Sequence, residues 1–302
     1  MKFKELLHKI KSVQEKSGTS TPYLCGGIPR DKVLNFNKDK VSDIDITTGD
    51  ETIFNLAKEV FIDLSTQFSV ISKTGTDGHI SIYLGNTKVD FSSNFRSPKI
   101  LEILKSKEID PTPMNQEIYS RDFTCNSLLL GFDLKTILDP TGEGLQDIKD
   151  KKLKTILTPE ICFNDNKNRI IRVIYLAAKL DFDVDPEIIS FIKVNKNLVL
   201  QVEQSYTTKL LNKAFEFNPQ KSAELLRQMD LWDIIPISNM IYPFYKENIK
   251  QAQFFRNYDL DNNPTGPGEG FFQNMHKYKS VSDFLNKKKK RKNKLKALKT
   301  RI

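Results

Sequence analysis

The sequence predicts an α+β fold: a small mixed sheet flanked by helices, followed by an all-helical region and a basic C-terminal tail. Three observations carry this prediction. Strand-like and helix-like apolar periods alternate through the first half of the chain, and from about residue 159 the apolar pattern is wholly helical. Residues 287–302 hold ten Lys or Arg and no acid.

Taken in order, residues 3–16 read as an amphipathic helix through Phe3, Leu6, Leu7, Ile10 and Val13. Tyr23-Leu24-Cys25 is a short buried strand, ended by Gly26-Gly27. Asp43-Ile44-Asp45-Ile46 alternates as a second strand, and Thr52–Leu64 returns to a helical period through Ile53, Leu56, Ala57, Val60 and Phe61. Ile80–Leu84, the turn signal Gly85-Asn86 and Lys88–Ser92 predict a hairpin whose return strand puts Asp90 on the face opposite Val89 and Phe91. Residues 97–117, with Pro98, Pro111 and Pro113, carry few core signals. Beyond 159, Ile170, Ile171, Ile174, Leu176, Ala177 and Leu180 form a broad apolar stripe, and Arg169 and Arg172 share a face of that helix. Short helices are predicted over 185–204, 206–216 and 219–235, with Trp232 in the core. After residue 240, aromatic residues interleave with Lys and Arg, a pattern that fits RNA stacking and a small helical core equally.

The chemistry concentrates at Gly26-Gly27-Ile28-Pro29-Arg30-Asp31 and Asp43-Ile44-Asp45. A Gly-Gly turn between strand and helix aims backbone N–H groups at an anion, with Arg30 in the first turn. In a strand, Asp43 and Asp45 share one face roughly 6.6 to 7 Å apart. Carboxylates so placed suit two Mg²⁺ ions about 3.5 to 4 Å apart, which activate a hydroxyl and stabilise a departing pyrophosphate. Asp90 is a candidate third carboxylate beside them. Alone, a Gly-Gly turn is usually only a turn and Asp-x-Asp a solvated strand end; together, in this order, they point to nucleotidyl transfer.

Composition sets the remaining bounds. The formal net charge is +9 over 302 residues, so without its tail the chain nets about −1 and its surface is not uniformly basic. Cys25, Cys125 and Cys162 are few and far apart, and only three histidines are present, which disfavours a disulfide framework, a zinc site or a histidine metal cage. No apolar run approaches the ~18 residues of a membrane span, and no signal-peptide core begins the chain, so a cytoplasmic protein without a membrane partner is expected. Oligomeric state cannot be read from these features.

These two motifs, with three more, resemble the class II family of tRNA CCA-adding enzymes and bacterial-type poly(A) polymerases, within the DNA polymerase beta superfamily. Arg121-Asp122-Phe123-Thr124-Cys125-Asn126-Ser127-Leu128 is similar to the family's ribose-recognition segment, although Ser120 stands where an arginine is expected. Asp139-Pro140-Thr141-Gly142 and Gly144-Leu145-Gln146-Asp147-Ile148 resemble its hinge between head and neck. Asp165-Asn166-Lys167-Asn168-Arg169 resembles its base-reading Glu-Asp-x-x-Arg pattern, with both acids altered. The resemblance covers about residues 20–236.

The resemblance implies a nucleotidyltransferase head at 1–140 and a helical neck and body at 141–240; beyond it, composition sets off a helical and aromatic segment at 241–286 and a basic tail at 287–302. It implies template-independent addition of CMP and AMP to the 3′ end of tRNA from CTP and ATP, with two Mg²⁺ held by Asp43 and Asp45. Gly26, Gly27 and Arg30 would hold the triphosphate, Arg121, Asp122 and Asn126 the ribose, and Asp165, Asn166, Arg169 and Arg172 the base. Residues 97–117 would be the head loop that closes over the nucleotide. Lys287, Lys288, Lys289, Lys290, Arg291 and Lys292 would meet RNA phosphates. Poly(A) addition and partial CC or A addition remain alternatives, because asparagine at 166 both donates and accepts where an aspartate only accepts. A non-catalytic RNA-binding relative and a transferase acting on protein or a small molecule stay open as other classes.

Overall fold

The computed structural model describes residues 1–235 apart from 37–40, 76–78, 93, 97 and 233. Its residues group into two compact units, Met1–Cys162 and Phe163 onward. The segments at 241–286 and 287–302 lie outside the described residues.

In the first unit, helix α1 (Phe3–Ser17) buries Leu6, Leu7, Ile10 and Val13 and ends at Gly18, whose left-handed backbone caps it. Strand β1 (Tyr23–Cys25) leads into the short helix α2 (Gly27–Val33), then β2 (Asp43–Thr47) and α3 (Thr52–Ser65). Asp50 starts α3 by accepting hydrogen bonds from Thr52 N and Thr52 Oγ1, and also from Ser20 Oγ and Thr48 Oγ1; these bonds hold its pKa below the ordinary value despite burial. β3 (Val70–Thr74), β4 (Ile80–Leu84) and β5 (Thr87–Phe91) follow, β4 and β5 joined by the expected Gly85-Asn86 turn with Gly85 at φ 56°. The edge strand β3, which pairs with β4, is not anticipated from the sequence; its exposed Lys73 and Ser72 give no clean alternation.

Residues 97–117, expected from the resemblance to be a closing loop, instead hold two helices, α4 (Pro98–Ser106) and α5 (Pro113–Tyr119). The prolines mislead because proline suits the first turn of a helix as well as a loop. Thr112 accepts a hydrogen bond from Asn115 N and caps α5. Ile100 and Leu104 pack with Leu157, while Ile118 packs with Cys25 and Leu129. β6 (Leu129–Gly131), β7 (Ile137–Leu138) and α6 (Gly144–Lys149) follow.

The sheet order is β3-β4-β5-β2-β1-β6-β7. β2 runs parallel to β5 and the other neighbours are antiparallel, so the sheet is mixed, as expected. Leu24, Ile44, Ile46, Ile82, Val89, Phe91 and Leu130 fall on one face and form a core with α1 and α3. Strand alternation therefore turns Cys25, Asp43, Asp45, Lys88, Asp90 and Ser81 to the other face.

In the second unit, helix α7 (Pro159–Asp165), which begins in the first unit, is followed by α8 (Asn168–Leu180), α9 (Pro186–Val194), α10 (Gln204–Phe217) and α11 (Pro219–Gln228). α8 buries Ile170, Ile171, Ile174, Leu176, Ala177 and Leu180 as its stripe requires and packs on α10 and α11. Asp185 before Pro186 and Asn218 before Pro219 each accept a hydrogen bond from the following turn, so local chemistry sets where α9 and α11 begin. Trp232 is buried, as expected. The three cysteines are free and buried, and among the described residues no helix is long and apolar enough to cross a membrane.

Ile46 is 0 % exposed and Ile71 59 %. Ile46→Ala should cost about 2–5 kcal/mol, whereas Ile71→Ala on the open edge strand should stay within about 0.5 kcal/mol; urea denaturation followed by circular dichroism checks both.

Candidate active site

The site is built on a row of side chains that crosses four strands. Register places Cys25 of β1 opposite Asp45 of β2, Asp45 opposite Asp90 of β5, and Asp90 opposite Ser81 of β4. One step along the same face, Asp43 lies opposite Lys88. The hairpin thus puts Asp90 beside Asp45, where the sequence expects a third carboxylate. Asp90 is nevertheless engaged elsewhere: one oxygen accepts from Ser81 Oγ at 2.5 Å and the other from Lys88 Nζ at 2.6 Å. Among the described residues, no three side chains of His, Cys, Asp or Glu are placed to hold one metal ion.

Asp43 is exposed and Asp45 partly buried. Burial raises the pKa of Asp45, the Arg121 guanidinium opposes that rise, and the charges of Asp90 and Asp43 add to it. Carboxylates crowded with this much negative charge and only partial solvation fit a divalent cation, which would relieve the repulsion that burial and the neighbouring acids create.

Gly26 has φ 69°, and a Cβ at that position would lie 2.7 Å from Asp45 Oδ2 and 3.8 Å from an Arg121 terminal nitrogen. The glycine therefore makes room for the Asp45 carboxylate as much as it turns the chain. At Gly27 a Cβ would approach Arg30 at 3.2 Å.

Arg30 was expected on a triphosphate, but its side chain is directed into the protein and is 3 % exposed. Its Nε and one terminal nitrogen donate to Asp31 Oδ1 at 3.0 and 2.6 Å, and the other terminal nitrogen donates to Asn126 Oδ1 at 2.6 Å. Asn126 in turn donates to Asp122 Oδ1 at 3.0 Å. Asp122 and Asn126 are buried, so the expected ribose-contacting residues form a wall tying α2 to the 122–126 segment. Arg121 belongs to a second buried group: it donates to Glu117 Oε1 at 2.6 Å and to Cys25 Sγ at 3.0 Å. Ser92 Oγ also donates to Glu117 Oε1, at 2.6 Å. The carboxylates of Glu117 and Asp45 raise the pKa of Arg121 despite burial, and burial pushes the Cys25 thiol up to about 12.

Glu117, Lys88, Ser81 and Asp31 were not singled out from the sequence as site residues. The i,i+4 spacing of Glu117 and Arg121 is a helical ion-pair signal that became readable once α5 was a helix.

In the second unit, Asp165 ends α7 and Arg169 lies in the first turn of α8, with an ion pair of 3.2 Å between them. Asn166 is exposed at the junction, and its Oδ1 accepts from Asn168 N at 3.0 Å. Arg172 is half-buried on the same helix. Lys287 to Lys292 lie outside the described residues.

Residues 22–154 match the model of the poly A polymerase head domain. Over 199 residues the chain is 26 % identical to the tRNA nucleotidyltransferase cca2 of Schizosaccharomyces pombe, covering 61 % of this chain and 40 % of that protein. A CCA-adding enzyme of Streptococcus uberis is 28 % identical over 218 residues, which are 68 % of this chain and 48 % of the relative. The chain thus spans somewhat under half the length of these curated relatives. The crystal structure of the Bacillus stearothermophilus CCA-adding enzyme in complex with CTP shares the fold with a TM-score of 0.58 at 21 % identity, covering 78 % of this chain and 55 % of that one. Over residues 22–154 the chain is thus similar to the poly A polymerase head domain, and over a longer stretch to CCA-adding enzymes.

Gly26→Ala should weaken divalent-cation binding at Asp45 by about 10-fold or more and cost about 1–3 kcal/mol of stability, since both the positive φ and the 2.7 Å approach resist a methyl group. Mn²⁺ titration followed by electron paramagnetic resonance, with a thermal melt of the same sample, measures both.

Proposed function

We propose that this protein adds CMP and AMP to the 3′ end of tRNA without a nucleic-acid template, completing the CCA sequence and releasing pyrophosphate. The observation that carries this reading is the Asp43–Asp45 pair, set on one sheet face beside the Gly26 turn that is shaped to its carboxylate. The names of the relatives support the tRNA acceptor, and the neighbour complexed with CTP supports the nucleotide.

In this proposal, Asp43 and Asp45 would hold two Mg²⁺ ions, which would supply positive charge at the RNA 3′-hydroxyl and the α-phosphate. The 3′-hydroxyl gives its proton to solvent water as its oxygen attacks the α-phosphorus; the new P–O bond forms while the bond from the α-phosphorus to the bridging oxygen breaks, and pyrophosphate leaves carrying that oxygen. Gly26 and Gly27 leave the turn open at Asp45. Arg30, Asn126 and Asp122 brace that turn from below, so any ribose or triphosphate contact from them requires their mutual hydrogen bonds to open. Arg121 supports Asp45 through its charge. Asp165, Asn166, Arg169 and Arg172 are assigned to the base, and Lys287 to Lys292 to RNA phosphates. Residues 1–140 act as the head, 141–240 as neck and body, and 287–302 as an RNA-holding tail. Three reduced, buried cysteines fit work in the cytoplasm.

Asn166 favours a second reading, poly(A) or partial addition, because its amide relaxes the requirement for the exocyclic amine of C or A. Incubating the protein with Mg²⁺, each nucleoside triphosphate singly and together, and tRNAs ending before CCA, at the first C or at the second C, alongside an oligo(A), separates the readings by sequencing. Ordered C, C, A products are expected; extension of oligo(A) alone with ATP would replace the proposal with poly(A) synthesis. Asp43→Asn and Asp45→Asn should each lower addition by about 10³-fold with the fold retained.

Asn166→Asp should raise discrimination for CTP and ATP over UTP and GTP by roughly 5- to 30-fold, the value of one charged against one neutral hydrogen bond. Comparing kcat/KM for the four nucleotides on one acceptor measures it, and an unaltered ratio would place base choice elsewhere.

A further inference from the structure

Two carboxylates directly opposite on adjacent strands, about 4.8 Å apart, repel each other unless something neutralises one of them. Here Asp45 and Asp90 occupy such a pair, and the neutralising group is in the chain itself. Lys88, two residues before Asp90 on the same face of β5, pairs with Asp90 Oδ2, and Ser81 from β4 occupies Oδ1. Each oxygen of Asp90 therefore already accepts one hydrogen bond, from Ser81 on the side away from β2 and from Lys88 along β5. Lys88 is itself opposite Asp43. Its side chain keeps about a third of its exposure, so the ammonium sits at the edge of the site and is not buried beneath it.

Resting on the assignment of Asp43 and Asp45 as the cation ligands, we propose that Lys88 is a latch that withholds Asp90 from the bound cation, so that the metal meets two protein carboxylates and keeps more of its water. A compact ammonium on a flexible stem suits this role, because it neutralises Asp90 without fixing it in a bidentate fork. With the latch in place the cation is held loosely by few protein oxygens; without it Asp90 becomes the third ligand, and affinity rises with the number of charged ligands. Lys88 is thus a positioning residue: it acts on the cation through Asp90.

The test uses the full chain, Mn²⁺ titration for affinity and Eu³⁺ luminescence decay in H₂O and D₂O to count inner-sphere waters. Lys88→Met should bind Mn²⁺ on the order of 10-fold more tightly and show about one coordinated water fewer than wild type. Lys88→Met combined with Asp90→Asn should restore the wild-type water count, and Asp90→Asn alone should leave it unchanged. A tighter Lys88→Met with an unchanged count would show that Lys88 acts only as a charge and would overturn the latch; so would a higher count in Asp90→Asn alone, because Asp90 would already be a ligand. Should Lys88→Met fail to fold, Lys88→Gln removes the charge while keeping a hydrogen-bonding head group and is read in the same way. Wild-type binding undiminished by Asp43→Asn and Asp45→Asn would remove the cation assignment and the latch together, whereas loss of binding in those two with no change in Lys88→Met would leave the assignment standing and sink the latch alone.

Discussion

The parallel pairing of β2 with β5 places Asp45 against Asp90, and the surroundings of the site are arranged to make that juxtaposition tolerable. Two adjacent carboxylates on one sheet face are a cost to the folded state. Ser81 and Lys88 neutralise Asp90 from one side, while Arg121 approaches Asp45 from the other. The opposite face of the same strands is wholly apolar and is sealed by α1 and α3, which fixes the register: a slip of one residue would turn Ile44 and Ile46 into the site and both aspartates into the core.

Behind the carboxylates lie two buried guanidinium groups, each paired with an acid from its own neighbourhood: Arg30 with Asp31, and Arg121 with Glu117. Buried ion pairs add little net stability, but breaking one strands the other charge. Their value here is positional. Arg30 reaches Asn126, 96 residues away in sequence, and so joins the glycine turn to the segment after α5. Glu117 is 0 % exposed and links Arg121 to Ser92 at the end of β5. The strands carrying Cys25 and Asp90 are thereby braced through α5 and the residue two beyond it, a constraint that sequence spacing cannot show.

What was legible in the sequence was local. The alternation of Asp43 to Ile46, the Gly85-Asn86 turn and the stripe on α8 each fit one period over a few residues, and each element formed with side chains on the expected faces. The helices α4 and α5 were hidden because Pro98 and Pro113 read as loop signals, and Thr112 as a cap has meaning only once a helix follows it. The destinations of Arg30, Asp122 and Asn126 were hidden for a different reason. A motif gives residue type and order, but whether an arginine points outward or into a wall depends on partners brought together by the tertiary fold, and Arg30 finds its partner in another element. Asp90 was found on the correct face, yet its engagement by Lys88 and Ser81 emerges only from the pairing of three strands.

The missing side chain at residue 26 has a consequence for how this protein can evolve. Every residue that could replace glycine brings a Cβ, and at this position the space a Cβ needs already contains an oxygen of Asp45. Drift through small intermediate residues, the usual route by which a turn changes its composition, is therefore closed here unless Asp45 moves first. Since Asp45 is fixed by its strand and by Arg121, the two positions form a locked pair that must change together or not at all, which makes this turn one of the slowest-changing points expected in any lineage that keeps the site.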